Sequence, residues 1–469
     1  MNTRRTWVSP FTTLILIAGL PGCITTDPDA AIDQTIRLAN DRTAASMPLE
    51  EAWAKPFTDR SGIWNGHDPL DLNTALEVAL RNDPELRRQL ALVAERQADL
   101  AQSSRPANPA LGFGLGIAID GMSGAPAMVQ IMQQLTWIWT MNDRIDVADR
   151  RLEAMILDAA RTTVERSSEL RSSFANLLHA EELVELRRSY LETTGTSLDL
   201  ATALAHAGEL ADLEVDRARI DHRDAEARLE AARRGRRGRK IELLRAMGWP
   251  EHSTDFEVAG AFRMHANQPP DEVEVIERAA IVRLDVAAAE HRVLAEEANA
   301  RLQGWKRLPE VGVTAALQKT NMDRKSIVPG ATVTVPVFDD GDAAIARADA
   351  RVEAARLEAA IIREDAITEA RAALNEWNRA RQQAVLFEEG LVASARDVVA
   401  RSELSFKAGI TNVNELLLTQ RRMIALEIEL LGERLLASLA WVDLEKAVGG
   451  SFEIPLQRPS IETDREGTS

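Results

Sequence analysis

Three groups of residues have types and spacings that are suited to chemistry. Glycines at positions 112, 114 and 116 stand in the sequence GFGLG, and glycines at this spacing often wrap a nucleotide phosphate. The basic run RRGRRGRK, Arg233–Lys240, is of a kind that binds nucleic acid. The single cysteine, Cys23, carries a thiol that can be acylated. What each group does depends on the element that positions it.

The glycine stretch is predicted to be a β-strand. Every second residue is apolar, and strict period-two alternation indicates a strand with one apolar face. A phosphate loop would instead follow a strand and open a helix, but here a proline-containing loop comes first and the strand pattern continues. The apolar residues, which we expect to face lipid, are Leu111, Phe113, Leu115, Ile117 and Ile119.

Composition argues against nucleic-acid binding and against catalysis. The 469 residues include 56 Lys and Arg against 73 Asp and Glu, for a net charge of −17, whereas phosphate neutralisation needs clustered cations. We therefore interpret Arg233–Lys240 as a solvated helix face, or as a contact to neighbouring acidic helices or anionic lipid headgroups. The sequence has no HExxH, GxSxG or cysteine–histidine arrangement, so no enzyme activity, cofactor or metal site is expected.

The N-terminus has the features of a secretory signal. A positive start containing Arg4 is followed by the apolar run Phe11–Leu20 and by LPGC, which ends at Cys23. This ending resembles a bacterial lipoprotein lipobox, so residues 1–22 are predicted to be a signal peptide and Cys23 to carry acyl chains such as palmitate. The following Ile24 implies delivery to the outer membrane, with a large periplasmic portion. The alternative is an uncleaved helix anchor, although the apolar run is short for a bilayer span.

The sequence contains two copies of one plan. Pro109–Gly112 has a counterpart 200 residues later at Pro309–Gly312, and Ala207–Gly208 has one 201 residues later at Ala408–Gly409. Each copy is predicted to run from a helical stretch through two strands to a very long helix, an Ala-Gly turn and a returning helix. The predicted domains are an extended, lipid-anchored tether at 23–69, repeats at 70–259 and 260–450, and a tail at 451–469.

The long helices are the strongest signal in each repeat. Asn142–Thr194 lacks Gly and Pro, and Asp342–Lys407 is interrupted only by Gly390. Each helix is therefore predicted to extend about 80–100 Å, as in a coiled coil or a helical barrel. Considered alone, these helices favour a long coiled coil that has no channel.

Three further alternating runs, at 129–139, 311–317 and 331–337, bring the predicted strands to four per chain. Trp137 and Trp139 are predicted to end the second run, where an aromatic residue at a membrane interface would lie. Four strands cannot close a barrel, and open edges are not tolerated in lipid, so oligomerisation is required if these strands lie in a membrane. The fold class predicted is mainly α with a small β part, in which a trimer completes a barrel of twelve strands with room for water.

Together these stretches resemble the outer-membrane efflux protein (TolC-like) family, in its lipoprotein-type members. The resemblance lies in Pro69–Leu100, Arg105–Gly114, Ala205–Arg219, Val335–Ala355 and Phe406–Arg422. It implies a homotrimer in which a 12-stranded outer-membrane barrel continues into a periplasmic α-barrel of long antiparallel helices. It also implies an exit duct that meets a periplasmic adaptor and an inner-membrane pump, and that passively conducts small molecules or ions.

The resemblance also assigns roles to the hairpin tips. It places Gly208 and Gly409 at the tip turns, and Glu214 and Glu415 in a ring of carboxylates at the periplasmic gate. A solvated helix face is the alternative for both glutamates. For the whole chain, the alternatives are the outer-membrane component of a type I protein secretion system and a periplasmic structural coiled-coil lipoprotein. The sequence leaves the cargo open among drugs, heavy metals and proteins.

Overall fold

The computed structural model describes residues 26–43, 64–117, 125–262, 270–320 and 324–461. The predicted signal peptide and Cys23 lie outside these ranges, and so does Ile119. Of the described residues, 71% are helical and 9% are in strands. This content confirms the predicted fold class, a mainly α protein with a small β part.

The order of elements repeats along the chain. The first half contains α1 Asp29–Asn40, α2 Leu72–Asn82, α3 Pro84–Ser103, β1 Ala110–Leu115, β2 Ala127–Gln134, α4 Trp137–His206 and α5 Asp212–Ala246. The second half contains α6 Glu272–Ile281, α7 Leu284–Gly304, β3 Glu310–Lys319, β4 Lys325–Thr334, α8 Asp342–Val385, a π-helical turn Leu386–Val392, α9 Ala393–Lys407 and α10 Val413–Ala447. From α2 onward the two halves match, with α8 and α9 together corresponding to α4.

Local capping signals explain where several of these helices begin. The Asp71 carboxylate accepts a hydrogen bond from the Thr74 backbone N–H at 2.7 Å and so caps α2. Asp83 caps α3 in the same way, and Pro84 occupies the first helical position, where its missing N–H costs nothing. These short polar residues convert a continuous helical pattern in the sequence into two separate helices.

The longest helix, α4, is the centre of the helical body. Its 70 residues extend about 105 Å, and it packs against α5, α7 and α10. Leu157, Leu170 and Leu177 of α4 are fully buried in the main hydrophobic core. A second core lies between α8 and α10, where Trp377 packs against Trp441 with ring centroids 5.0 Å apart. The helical body is therefore stabilised by layers of apolar side chains spaced along these long helices.

A π-helical turn explains why the repeat spacing changes from 200 to 201 residues. The spacing is still 200 at Val352 and has become 201 at Ala408, so the second repeat has one additional residue between them. The π-helical turn Leu386–Val392 lies in this interval and contains Gly390. A π turn accommodates one residue more than an α turn does, so it absorbs the insertion and keeps the two hairpin tips equivalent.

We expect deletion of Gly390 to be tolerated. The deletion should restore a continuous α-helix and change the free energy of unfolding by less than about 1 kcal/mol, because glycine is itself unfavourable in a helix interior by about that amount. Deleting Ala373 is the control, since it rotates the buried Trp377 out of its core and should be strongly destabilising. Thermal unfolding followed by circular dichroism measures both effects. Equal damage by the two deletions would contradict the explanation.

Two expectations about local structure are wrong. The second strand does not continue through Trp137 and Trp139, because β2 ends at Gln134 and α4 begins at Trp137. The chain leaves the sheet after the Leu135 N–H donates to the Val311 carbonyl at 2.8 Å. The predicted tether is not extended throughout, since Asp29–Asn40 form a helix with one buried face against α4. At the end of β2, packing with distant residues overrides the local pattern, whereas at 29–40 the apolar residues already recur at helical spacing.

Candidate functional site

The four strands of the described chain form one antiparallel sheet in the order β1-β2-β3-β4. The register pairs Leu111 with Ile131, and Ile131 with Ala315. Because side chains alternate between the faces of a strand, these paired residues share one face of the sheet. The sheet therefore has two faces whose composition can be read directly from the register.

One face of the sheet is apolar and lies open to the surroundings. Leu111, Phe113, Leu115 and Ile117 are 64%, 76%, 85% and 90% exposed, values far from those of core residues. The neighbouring strands add further exposed apolar side chains to the same face, namely Val129, Ile131, Val313, Leu317, Ile327 and Val333. A continuous exposed apolar surface of this kind is typical of contact with a membrane or a partner.

The opposite face is lined mostly by glycines and by polar or small residues, with Met128, Met132 and Val328 as larger apolar exceptions. A Cβ added at Gly112 would lie 2.9 Å from Cγ of Gln130, and one added at Gly312 would lie 2.7 Å from the Thr332 hydroxyl. These glycines are therefore needed because the side chain of the neighbouring strand covers them. The face so formed is suited to line a water-filled space, whereas a phosphate cradle would require a helix to follow the glycines.

The sheet also has two unpaired edges within the described residues. β1 pairs only with β2, and β4 pairs only with β3. Unpaired N–H and C=O groups cannot be left in lipid, and in water they form a template for another strand. The chain alone therefore cannot be a complete membrane structure if this sheet lies in a bilayer.

Among the described residues, helix α8 lacks partners that its counterpart α4 has. Glu153 of α4 is only 3% exposed beneath α7, whereas the matching Glu353 of α8 is exposed. α7 packs on α4 and α10 packs on α4, but α8 has no comparable packing with α3 or α5 within the described chain. The repeat therefore predicts that a second copy supplies these helices to α8, head to tail.

The hairpin tips have the same geometry in both repeats. Gly208 and Gly409 have φ of +75° and +72°, where residues other than glycine are strained. The Glu209 N–H donates to the Leu204 carbonyl, and the Ile410 N–H donates to the Ser405 carbonyl, both at 2.9 Å. These reverse bonds close each helix before the chain turns.

The two candidate gate glutamates each lie in the first turn of the returning helix. Glu214 is in an ion pair of 2.5 Å with Arg217 on α5. Glu415 is exposed, and its backbone N–H donates to the Asn412 side chain at 2.9 Å. A carboxylate at this position also stabilises a helix through its dipole and capping box. Both roles are compatible with the geometry, and a substitution that removes the charge but keeps the length of the side chain would separate them.

The basic run Arg233–Lys240 lies on α5. Arg236 and Lys240 reach Glu181 of α4 at 3.0 and 3.7 Å. Arg234 and Arg237 are exposed. The run thus forms a solvated helix face that also contacts an acidic side chain of the neighbouring helix.

Two mostly buried ionic clusters, which the sequence pattern does not reveal, join distant parts of the chain. The Arg283 guanidinium binds both oxygens of Asp285, at 3.0 and 2.6 Å, and donates to Glu369 and to the Ala447 carbonyl. Burial alone would raise the pKa of Asp285, but the hydrogen bonds and charge of Arg283 lower it below its ordinary value. The same balance lowers the pKa of Glu153, which contacts His291 of α7 at 2.9 Å.

The described ranges contain neither a metal-binding cluster nor a membrane-spanning helix. No group of three or more His, Cys, Asp or Glu side chains there is placed to hold a metal ion. None of the helices in those ranges has an apolar stretch of the length that would cross a bilayer. The sheet, the tips and the unpartnered helix face are thus the features that bear on function.

Comparison with known proteins gives a consistent result. The nickel-cobalt-cadmium resistance protein NccC of Alcaligenes xylosoxydans xylosoxydans is 26% identical over 306 residues, covering 63% of this chain and 69% of that protein. The cobalt-zinc-cadmium resistance protein CzcC of Cupriavidus metallidurans is 22% identical over 368 residues, covering 78% and 86%. The Campylobacter jejuni CmeC outer membrane channel has the same fold, with a TM-score of 0.67 at 15% identity over 82% of this chain and 86% of that one.

The family match follows the internal repeat. The outer membrane efflux protein family matches this chain at residues 75–249 and 275–450, one segment in each half. Each matched segment contains one strand pair and one long helical hairpin. The match covers both repeats, and the four-stranded sheet and long helices agree with it. The chain therefore belongs to the outer membrane efflux protein family.

Proposed function

We propose that this chain forms the exit duct of a tripartite efflux system and conducts divalent metal cations out of the cell. Proteins of this family form trimeric outer-membrane channels that work with an adaptor and an inner-membrane pump. The observation that carries the proposal is the sheet with one exposed apolar face, one polar face and two open edges. We also propose the division into repeats at 70–259 and 260–450, and acylation at Cys23.

The proposed assembly is a homotrimer in which β1 of one copy pairs with β4 of the next. Each test variant carries two cysteines, one replacing Phe113 on β1 and one replacing Ile327, Ala331 or Val333 on the same face of β4. The three variants sample the possible registers between β1 of one copy and β4 of the next. The variant whose two cysteines lie within disulfide reach of each other across neighbouring copies should give a covalent trimer on oxidation. Phe113 with Thr332 is the control, because those side chains project to opposite faces. Cross-linked dimers alone, or no cross-link in any pair, would contradict a closed ring of three.

The cargo is proposed from the relatives, whose names describe resistance to nickel, cobalt, zinc and cadmium. Deleting the gene in its own bacterium should raise sensitivity to salts of these metals. Sensitivity to apolar dyes and drugs should stay unchanged. The opposite pattern would indicate a duct for apolar compounds.

The gate is proposed to include Glu415. In a trimer, three copies of Glu214 and three copies of Glu415 would together form a ring of six carboxylates. Glu415→Gln removes the charge but keeps a side chain able to complete the capping box. We expect the preference of the channel for cations over anions to fall roughly twofold. Glu429→Gln, on the same helix but far from its first turn, is the control. Unchanged ion selectivity with Glu415→Gln would assign Glu415 to helix capping alone.

A further inference from the structure

We propose that the strand pair formed between two copies has one defined register, in which Val333 of one copy lies opposite Phe113 of the next. The seam, as we call this junction of β4 with β1 of the next copy, joins the two edges that are open within the described residues. The inference rests on the proposed function, in which three copies close one barrel. The register adds the identity of the residues that meet across the seam.

The junction between β2 and β3 inside one chain provides the pattern for the seam. In this junction, Gln133 of β2 lies opposite Val313 of β3. β2 closes the sheet segment of the first repeat and β3 opens that of the second, and in a ring β4 and the next β1 have the same relation. Moving each residue by the repeat spacing of 200 places Val333 opposite Phe113 of the next copy.

The backbone groups at the two open edges belong to the residues that this register pairs. The Gly116 N–H donates to the Pro126 carbonyl at 2.8 Å, so even-numbered residues of β1 bond to β2 and odd-numbered ones point to the edge. The Thr320 N–H donates to the Arg324 carbonyl at 2.9 Å, so odd-numbered residues of β4 likewise point to its edge. Pairing odd with odd residues therefore satisfies both edges and keeps the apolar side chains on one face.

A shift by two residues is the alternative, because the two hairpins themselves differ by that amount. Ala110 lies opposite Met132 in the first hairpin, whereas Glu310 lies opposite Thr334 in the second. Thr334 is two residues further along than the spacing of 200 would place it. The repeat alone therefore leaves three residues that could lie opposite Phe113 of the next copy, namely Ala331, Val333 and Val335.

The proline of β4 excludes the shift in one direction. Pro329 lies opposite Ala315 of β3, and its nitrogen, which carries no hydrogen, points to the open edge. With Ala331 opposite Phe113, this proline would face Leu115 of the next copy. The Leu115 carbonyl would then lack a donor inside the bilayer, which is costly. In the proposed register the proline lies beyond the end of β1, where no strand bond is lost.

The turn after β4 excludes the shift in the other direction. With Val335 opposite Phe113, the pair nearest the helices would need the N–H of Val337 to bond with Leu111. That N–H already donates to the Val335 carbonyl at 2.9 Å, and the strand has ended before it. In the proposed register Leu111 meets Val335, whose counterpart Leu135 makes the equivalent bond within the chain.

The test exchanges partners among four cysteine positions in the full-length protein. The proposed register brings together the cysteines of F113C/V333C and of L115C/A331C, with Cα atoms about 5.5 Å apart across the seam. The controls F113C/A331C and L115C/V333C use the same four positions, but each pair is two residues out of register. Covalent trimers should form on oxidation at least about tenfold faster in the first two variants, because diagonal neighbours exceed disulfide reach.

Equal rates in all four variants, or faster cross-linking in either control, would overturn the register but keep the closed trimer. So would covalent trimers that form only with F113C/I327C, since that pair is six residues out of register. Each variant is first run on gels under reducing conditions, where a trimer shows that the substitutions leave assembly intact. Wild-type protein that forms no trimer there, together with no covalent trimer from any pair, would instead contradict the proposed function.

Discussion

Ile131→Arg should abolish assembly of the channel in the outer membrane. Ile131 lies in the middle row of the apolar face, between Leu111 and Ala315 on the neighbouring strands. An arginine at the bilayer midplane of a membrane β-barrel costs about 2–4 kcal/mol, and a trimer would carry three copies. The amount of protein in the outer-membrane fraction and of heat-dissociable trimer on gels measures the effect.

The matched control for this prediction is the adjacent residue Gln130. Gln130→Arg places the same charge on the opposite face, where its aliphatic stem can cover Gly112 as the glutamine does now. A side chain that faces water should leave assembly close to that of the wild type. If both variants assembled equally, or failed equally, the assignment of the two faces would be wrong.

Arg283→Met should destabilise the second repeat by about 3–5 kcal/mol. Arg283 connects α7 to α8 through Glu369 and to the end of α10 through the Ala447 carbonyl. Removing the guanidinium leaves the Asp285 carboxylate mostly buried without its bidentate partner. The unfolding midpoint, measured by circular dichroism, should fall by several degrees.

A double variant separates the lost ion pair from the lost packing. R283M/D285L removes both charges, so it should be much less destabilised than Arg283→Met alone. If the double variant were as unstable as the single one, the buried charge of Asp285 would not be the cause. The proposed role of Arg283 would then be packing around its aliphatic stem.

The same ion pair predicts a pH dependence. The pKa of Asp285 is lower in the folded protein than its ordinary value, so the folded protein gains stability from this group when the carboxylate is ionised. That stability is present above the ordinary pKa, about 4, and is lost as the pH falls through the folded pKa. The stability difference between the wild type and Arg283→Met should therefore shrink in acid.

The repetitive parts of the structure could be predicted from the sequence. Alternation at 111–115 is a local property of a strand whose two faces meet different surroundings, and β1 has an exposed apolar face there, although it ends at Leu115, before the predicted end of the run. The absence of Gly and Pro predicted the long helices, and the interruption at Gly390 lies within the π-helical turn. The Ala-Gly turns were recognisable because a left-handed φ favours glycine at Gly208 and Gly409.

The remaining features depend on contacts between distant residues. Trp137 and Trp139 fit a strand pattern locally, but the sheet ends before them because β3 pairs only as far as Gln134. The helix Asp29–Asn40 packs on α4 through Ile32, Ile36 and Ala39, which are buried at helical spacing. The pairing of Arg283 with Glu369 joins residues 86 positions apart. Such contacts are set by the packing of the helices, so residue spacing alone does not reveal them.

The central claim is that three copies of this chain form one continuous passive pore. The most direct test is the electrical conductance of the purified full-length trimer in a planar lipid bilayer. We predict ion-conducting pores that need no nucleotide, prefer cations, and lose that preference in part with Glu415→Gln. Protein that remains monomeric in detergent and leaves the bilayer without conductance would contradict the claim.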